Sequence, residues 1–165
     1  MLEEFNAMAL RIAEHLRARG EKIAVADGAT GGLISASLLT VPGALSFYIG
    51  GGVVYSFRAR EVLLGLGRDA FAGMRSATDV YALAQARAIR DNFGVEWGIA
   101  ESGAVGGSTH PTGVASGRSV CAVTGPGGLE AVRVTETTSD DRMANMQEFT
   151  RRSLEFLELT LEGAR

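Results

Sequence analysis

Phe5, Met8, Ile12 and Leu16 recur at three- and four-residue intervals, with Arg11, Glu14, Arg17 and Arg19 among them and Gly20 directly behind. The spacing predicts an amphipathic opening helix that stops at the glycine. Residues 22–26 then form a short apolar run that breaks at Asp27-Gly28-Ala29-Thr30-Gly31-Gly32. Helical spacing returns through Leu33, Ile34, Leu38 and Leu39 and ends at Val41-Pro42-Gly43. This predicts a strand, a tight turn and a second helix. Residues 47–57 read as a β segment, and their three successive glycines, Gly50 to Gly52, suit close backbone approach.

Residues 58–66 suit a short helix, and Ser76-Ala77-Thr78-Asp79 suits the entry to a longer one that closes at Gly94. An apolar strand over 97–100 ends in Glu101-Ser102-Gly103, and residues 106–117, rich in Gly, Ser, Thr and Pro, read as a loop. Two further runs, 119–124 and 129–137, are joined by Gly125-Pro126-Gly127-Gly128 and should pair antiparallel. The closing segment, 140–163, places Met143, Met146, Phe149, Leu154 and Leu157 on one side of a long helix. This order predicts an α/β fold: a three-layer α/β/α sandwich with a mixed, mainly parallel sheet of about five strands, with residues 1–165 as one domain.

Composition narrows the function classes. With 46% hydrophobic and 21% charged residues, the chain has the balance of a globular protein. A net charge of -3 offers no basic footprint for phosphate backbones, so nucleic acid is not an expected partner. No apolar run reaches spanning length, and the first turns carry Glu3, Glu4 and Glu14, unlike a secretory signal or a membrane anchor. The single cysteine, Cys121, excludes an intrachain disulfide and lies in an apolar run typical of a buried strand. A cytoplasmic location is expected, with no membrane partner.

In open α/β sheets the binding crevice lies beyond the carboxyl ends of strands, which directs attention to the loops after Ala26, Tyr55 and Ala100. The turn from Asp27 to Gly32 would present backbone N–H groups at a helix start, where a phosphate or carboxylate fits and a nucleotide is one candidate ligand. The alternative is that these glycines serve only the sharp turn and helix-to-sheet packing.

The same turn carries a resemblance. Asp27-Gly28-Ala29-Thr30-Gly31-Gly32-Leu33-Ile34, continued by Leu39-Thr40-Val41-Pro42-Gly43, is similar to the Glu-Ser-x-Thr-Gly-Gly-Leu-Ile and Leu-Thr-x-x-Pro-Gly pattern of the CinA C-terminal family, the nicotinamide-nucleotide amidases of the competence/damage-inducible proteins. Gly52-Val53-Val54-Tyr55 with Arg60 and Leu63-Leu64-Gly65-Leu66 resembles that family's next motif, and Ser102-Gly103-Ala104-Val105-Gly106-Gly107 sits where it has Thr-Gly-Ile-Ala-Gly-Pro. In full-length relatives this domain follows another.

The resemblance implies a three-layer α/β/α fold, a homodimer, and hydrolysis of nicotinamide mononucleotide to nicotinic acid mononucleotide and ammonia, a step of NAD salvage. It implies neither a metal nor a cofactor. The family's serine nucleophile falls at Gly28, which has no side chain, and its lysine falls at Arg60, whose guanidinium is a poor general base. Tyr55 is retained, and Asp27 replaces a glutamate.

Three candidate catalytic residues follow: Tyr55, and the hydroxyls of Ser102 and Thr30 if they share one crevice. Asp27, Gly28, Gly31, Gly32, Arg60 and Gly103 are the candidate substrate-binding residues. Arg60 suits an anion contact or, alternatively, a salt bridge to Glu61 or Asp69. His110, in the glycine-rich loop, would complete a Ser–His pair if it approached Ser102, with Glu101 or Asp27 as orienter. Three functions therefore compete: an amidohydrolase acting on nicotinamide mononucleotide or a related amide, a non-catalytic binder of a nucleotide or other small anion, and a different hydrolase that uses Ser102 or Thr30.

Overall fold

A computed structural model describes residues 1–164. Five strands, β1 (Ile23–Asp27), β2 (Tyr48–Val53), β3 (Trp97–Ala104), β4 (Arg118–Thr124) and β5 (Glu130–Glu136), form one sheet in the order β2-β1-β3-β4-β5. β1 lies parallel to both β2 and β3, whereas β4 runs antiparallel to β3 and β5. Four strands therefore point one way, giving the mixed, mainly parallel sheet predicted from the element order.

Five helices accompany the sheet: α1 (Leu2–Arg19), α2 (Leu33–Leu39), α3 (Phe57–Leu64), α4 (Asp79–Phe93) and α5 (Arg142–Gly163). The apolar stripe of α1 is buried at Phe5, Met8, Ile12 and Leu16, and Gly20 ends the helix at φ 65° because only glycine adopts that cap without strain. On this face α1, α2 and α5 cover bulky side chains of the sheet, among them Trp97, Ile99, Tyr48 and Ile23. Burying each such side chain contributes about 1.5–3 kcal/mol, which makes this the heavier half of the core.

The other face is built from small residues, including Ala24, Ala26, Ala82, Ala86 and Ala122, so α4 lies close against the strands. A side chain at Gly98 would collide with the Ala86 carbonyl of α4, and one at Gly51 with the Val25 carbonyl of β1. The glycines of β2 thus mark the close approach expected of them.

α1 and α5 lie side by side and run parallel: Glu4 pairs with Arg151 at 2.6 Å, Arg11 with Glu158 at 2.5 Å and His15 with Glu162 at 3.9 Å. No helix among the described residues is long and apolar enough to cross a membrane. One boundary differs from the sequence pattern in a way that bears on the site. β3 continues through Glu101, Ser102 and Gly103 to Ala104, because antiparallel pairing with β4 carries it past the polar residues that resemble a strand end.

Candidate functional site

A cleft of about 370 Å³ opens at the carboxyl ends of β1, β2 and β3. That volume suits a small-molecule ligand. Gly28 and Ala29 form one part of its wall, Tyr55, Ser56 and Phe57 a second, Glu101 to Gly106 a third, and residues 108–112 with Arg142 close it. Of the residues singled out from sequence, Gly28, Tyr55, Glu101, Ser102, Gly103 and His110 meet here; Asp27, Thr30, Gly31, Gly32 and Arg60 do not line the cleft.

Asp27 lies behind the wall, fully buried. Its carboxylate accepts from Thr30 Oγ1 at 2.7 Å, Ile34 N at 3.0 Å, Ser35 N at 3.2 Å and Ser35 Oγ at 2.7 Å. The helix start expected to receive a ligand anion is therefore occupied by the chain's own carboxylate, placed at the positive end of α2. Gly31 and Gly32, at φ 66° and 97°, make the turn that brings α2 over Asp27. Thr30 is corrected likewise: its hydroxyl is buried and donates to Asp27, so it offers no nucleophile to the cleft.

Glu101 lies next to this turn, on β3, and is also fully buried. Oε1 accepts from Ser119 Oγ at 2.5 Å and Oε2 from Thr30 N at 3.0 Å. Burial pushes its carboxyl up to about 7; the bonds from Ser119 and Thr30 pull the other way, and the charge of Asp27 adds to the rise. The sequence reading gave Glu101 only a supporting part, because two polar residues in succession resembled a loop.

Ser102 points to the other face of the sheet, where its hydroxyl oxygen accepts from Ala77 N at 3.0 Å. Ala77 takes a left-handed φ of 54°, unusual for a residue with a Cβ, and this bond helps to hold it. His110 bonds to Thr112 through Nδ1, at 3.2 Å from the backbone N and 3.0 Å from Oγ1, and burial lowers its pKa. Among the described residues no hydrogen bond joins His110 to Ser102, so the Ser–His pair is not assembled. Nor are three His, Cys, Asp or Glu side chains gathered to hold a metal ion among the described residues.

Tyr55 is 68% exposed at the mouth of the cleft, where its hydroxyl accepts from Arg142 Nη2 at 3.1 Å. Arg142 also donates from Nη1 to the Gly106 carbonyl at 3.0 Å, which fixes its guanidinium against the wall. It is the arginine that lines the cleft. Local pattern could not find it, since it opens a helix 87 residues after Tyr55.

A family model, the CinA C-terminal domain, matches residues 5–161. The chain belongs to the CinA C-terminal domain family. A CinA-like protein of Prochlorococcus marinus (strain MIT 9313) is 35% identical over 164 residues, which cover 96% of this chain and 37% of the relative. One of Myxococcus xanthus (strain DK1622) is 35% identical over 141 residues, covering 84% and 33%. This CinA domain thus spans about a third of the length of the curated relatives it matches.

Among solved structures, a CinA superfamily protein of Enterobacter cloacae superposes with a TM-score of 0.86 at 26% identity, covering 95% of this chain and 92% of that one. One from Klebsiella pneumoniae 700603 gives 0.87 at 23%, covering 96% and 98%, a likeness of fold.

Two positions of this CinA domain stand out. A side chain at Gly28 would run into the Glu101 carbonyl oxygen and lie 3.2 Å from Glu101 Oε2, so the position lacks both a hydroxyl and the room for one. Arg60 is only 4% exposed and has withdrawn from the cleft into a box of aromatic rings, with its guanidinium carbon 4.0 Å from the Phe71 centroid, 5.0 Å from Phe57 and 5.8 Å from Tyr81. Among the described residues it forms no salt bridge to Glu61 or Asp69: Nη1 reaches Tyr81 Oη at 3.4 Å, and Glu61 pairs instead with Arg58 at 3.3 Å. Cation–π attraction is what holds it.

Proposed function

We propose that the cleft binds a small organic anion of nucleotide size and does not hydrolyse an amide through a side-chain nucleophile. The carrying observation is Gly28 packed against Glu101: the place where the family resemblance puts a serine contains neither an oxygen nor space for one. Thr30 and Ser102 do not replace it, because one hydroxyl is buried on Asp27 and the other is held by Ala77.

Recognition falls to Arg142 at the rim. Its guanidinium suits a phosphate or carboxylate, and Tyr55 and Phe57 beside it offer ring surface to a planar group. The resemblance makes nicotinamide mononucleotide and its acid product the first ligands to try. Calorimetric titration with each, run beside an ammonia assay, should give saturable binding and no ammonia above a buffer control. Ammonia release would overturn the non-hydrolytic reading. Absence of heat with both nucleotides would overturn the ligand class.

A further inference from the structure

Glu101 shares the buried side of the cleft wall with Asp27, and the turn between them touches both: Thr30 donates its backbone N–H to Glu101 and its hydroxyl to Asp27. The carboxyl fits because two cleft residues lack side chains. A Cβ at Gly28 would lie 3.2 Å from Oε2, and one at Gly103 would lie 2.8 Å from Oε1.

Among the described residues no cation pairs with this carboxyl, and the donors that face it offset a negative charge only in part. From the end of β1 comes Asp27, which opposes ionisation. From β4 come Ser119, which donates a hydrogen bond, and Cys121, paired opposite Glu101 and pushed up to about 12 by burial. The turn contributes one N–H, and α5 covers Cys121 with the uncharged Ser153. Arg133 of β5 acts on Cys121 and lies over the Phe156 ring. Within a low-dielectric interior, an ionised Glu101 would be relieved only by movement or by entry of water.

We propose that Glu101 is a positioning residue for the cleft, fastening the Gly28–Thr30 turn to β3 through a carboxyl that is protonated in the binding form, so that ligand uptake and proton uptake are linked. The inference rests on the cleft being a ligand site. Ionisation opposes uptake of an anion, because it places a second negative charge beside Asp27 in the wall of the cleft, which Glu101 itself lines.

Two measurements separate this inference from the reading beneath it. In the ligand-free protein, the backbone amide resonances of Gly28, Ala29 and Thr30 should move together with a midpoint near 7, and Glu101→Gln should abolish that movement. Ser119→Ala, by removing a donor to the carboxylate, should move the midpoint upward. Amides that stay still through this range, or that titrate unchanged in Glu101→Gln, would overturn the proposal whether or not any nucleotide binds.

With nicotinamide mononucleotide as the probe, the dissociation constant of the wild type should rise roughly fivefold between pH 6 and pH 8, as expected for a one-unit difference in proton affinity between free and bound forms. Glu101→Gln should flatten that rise. The variant also controls for titration of His110 and of the probe's phosphate. A pH profile shared by both proteins would refute the linkage.

Discussion

Asp27 and Glu101 end up one strand apart, both fully buried carboxyls, yet the fold treats them in opposite ways. Asp27 sits at the start of α2 and accepts four hydrogen bonds, so the turn and the helix start are organised around its carboxyl group. Glu101 accepts two and has no helix behind it, and its burial raises its proton affinity. Burial by itself therefore does not say whether a carboxyl is a structural anchor or a group free to exchange a proton. The number and kind of donors decides.

Breaking the Asp27 side should have the largest effect. Asp27→Ala leaves Ile34 N, Ser35 N and the Thr30 hydroxyl without an acceptor, and urea denaturation at pH 7 should register a loss of about 3–5 kcal/mol. The Glu101 side should answer to pH instead. Its carboxyl is raised from 4.5 to about 7 in the fold, so the folded state holds the extra proton between those values. Its contribution is fully retained at low pH and is lost as pH rises through about 7. Glu101→Gln should accordingly match the wild type near pH 4 and exceed it at pH 8 by up to about 3 kcal/mol. An equal difference at both values would show that the gain has nothing to do with titration.

The contact between the two regions is tested by Gly28→Ser, which forces a side chain into the Glu101 carbonyl and should cost about 1–3 kcal/mol in chemical denaturation. The double change Gly28→Ser with Arg60→Lys should still release no ammonia from nicotinamide mononucleotide, because residue 60 lies in its aromatic box and not at the cleft. The smallest change in stability belongs to Arg142→Ala, within about 0.5 kcal/mol, since surface contacts contribute little. Its effect should appear instead as a tenfold or greater loss of nucleotide affinity by calorimetry, about 1.4 kcal/mol.

Much of the fold was legible because periodicity and turn residues agreed. The stripe of α1, the antiparallel pair β4–β5 and the close approach of β2 all follow from local spacing. The site was less legible. Asp27 caps α2 through residues seven and eight positions on, a reach across a turn that no short motif encodes. Glu101 looked like loop because a strand buried on both faces is expected to be apolar, and here donors from the turn and from β4 satisfy the exception. Arg60 kept its aromatic neighbours hidden, since Phe57, Phe71 and Tyr81 converge only in three dimensions.

The parallel pairing of α1 with α5 has a consequence for biosynthesis. α1 is synthesised well before α5 and is covered by it, through pairs as distant as Glu4 with Arg151 and Arg11 with Glu158. Until α5 emerges, the nascent chain carries Phe5, Met8, Ile12 and Leu16 without that cover. Folding of this domain therefore completes only once α5 has been synthesised, and a chain interrupted before that point leaves the stripe of α1 without its α5 cover.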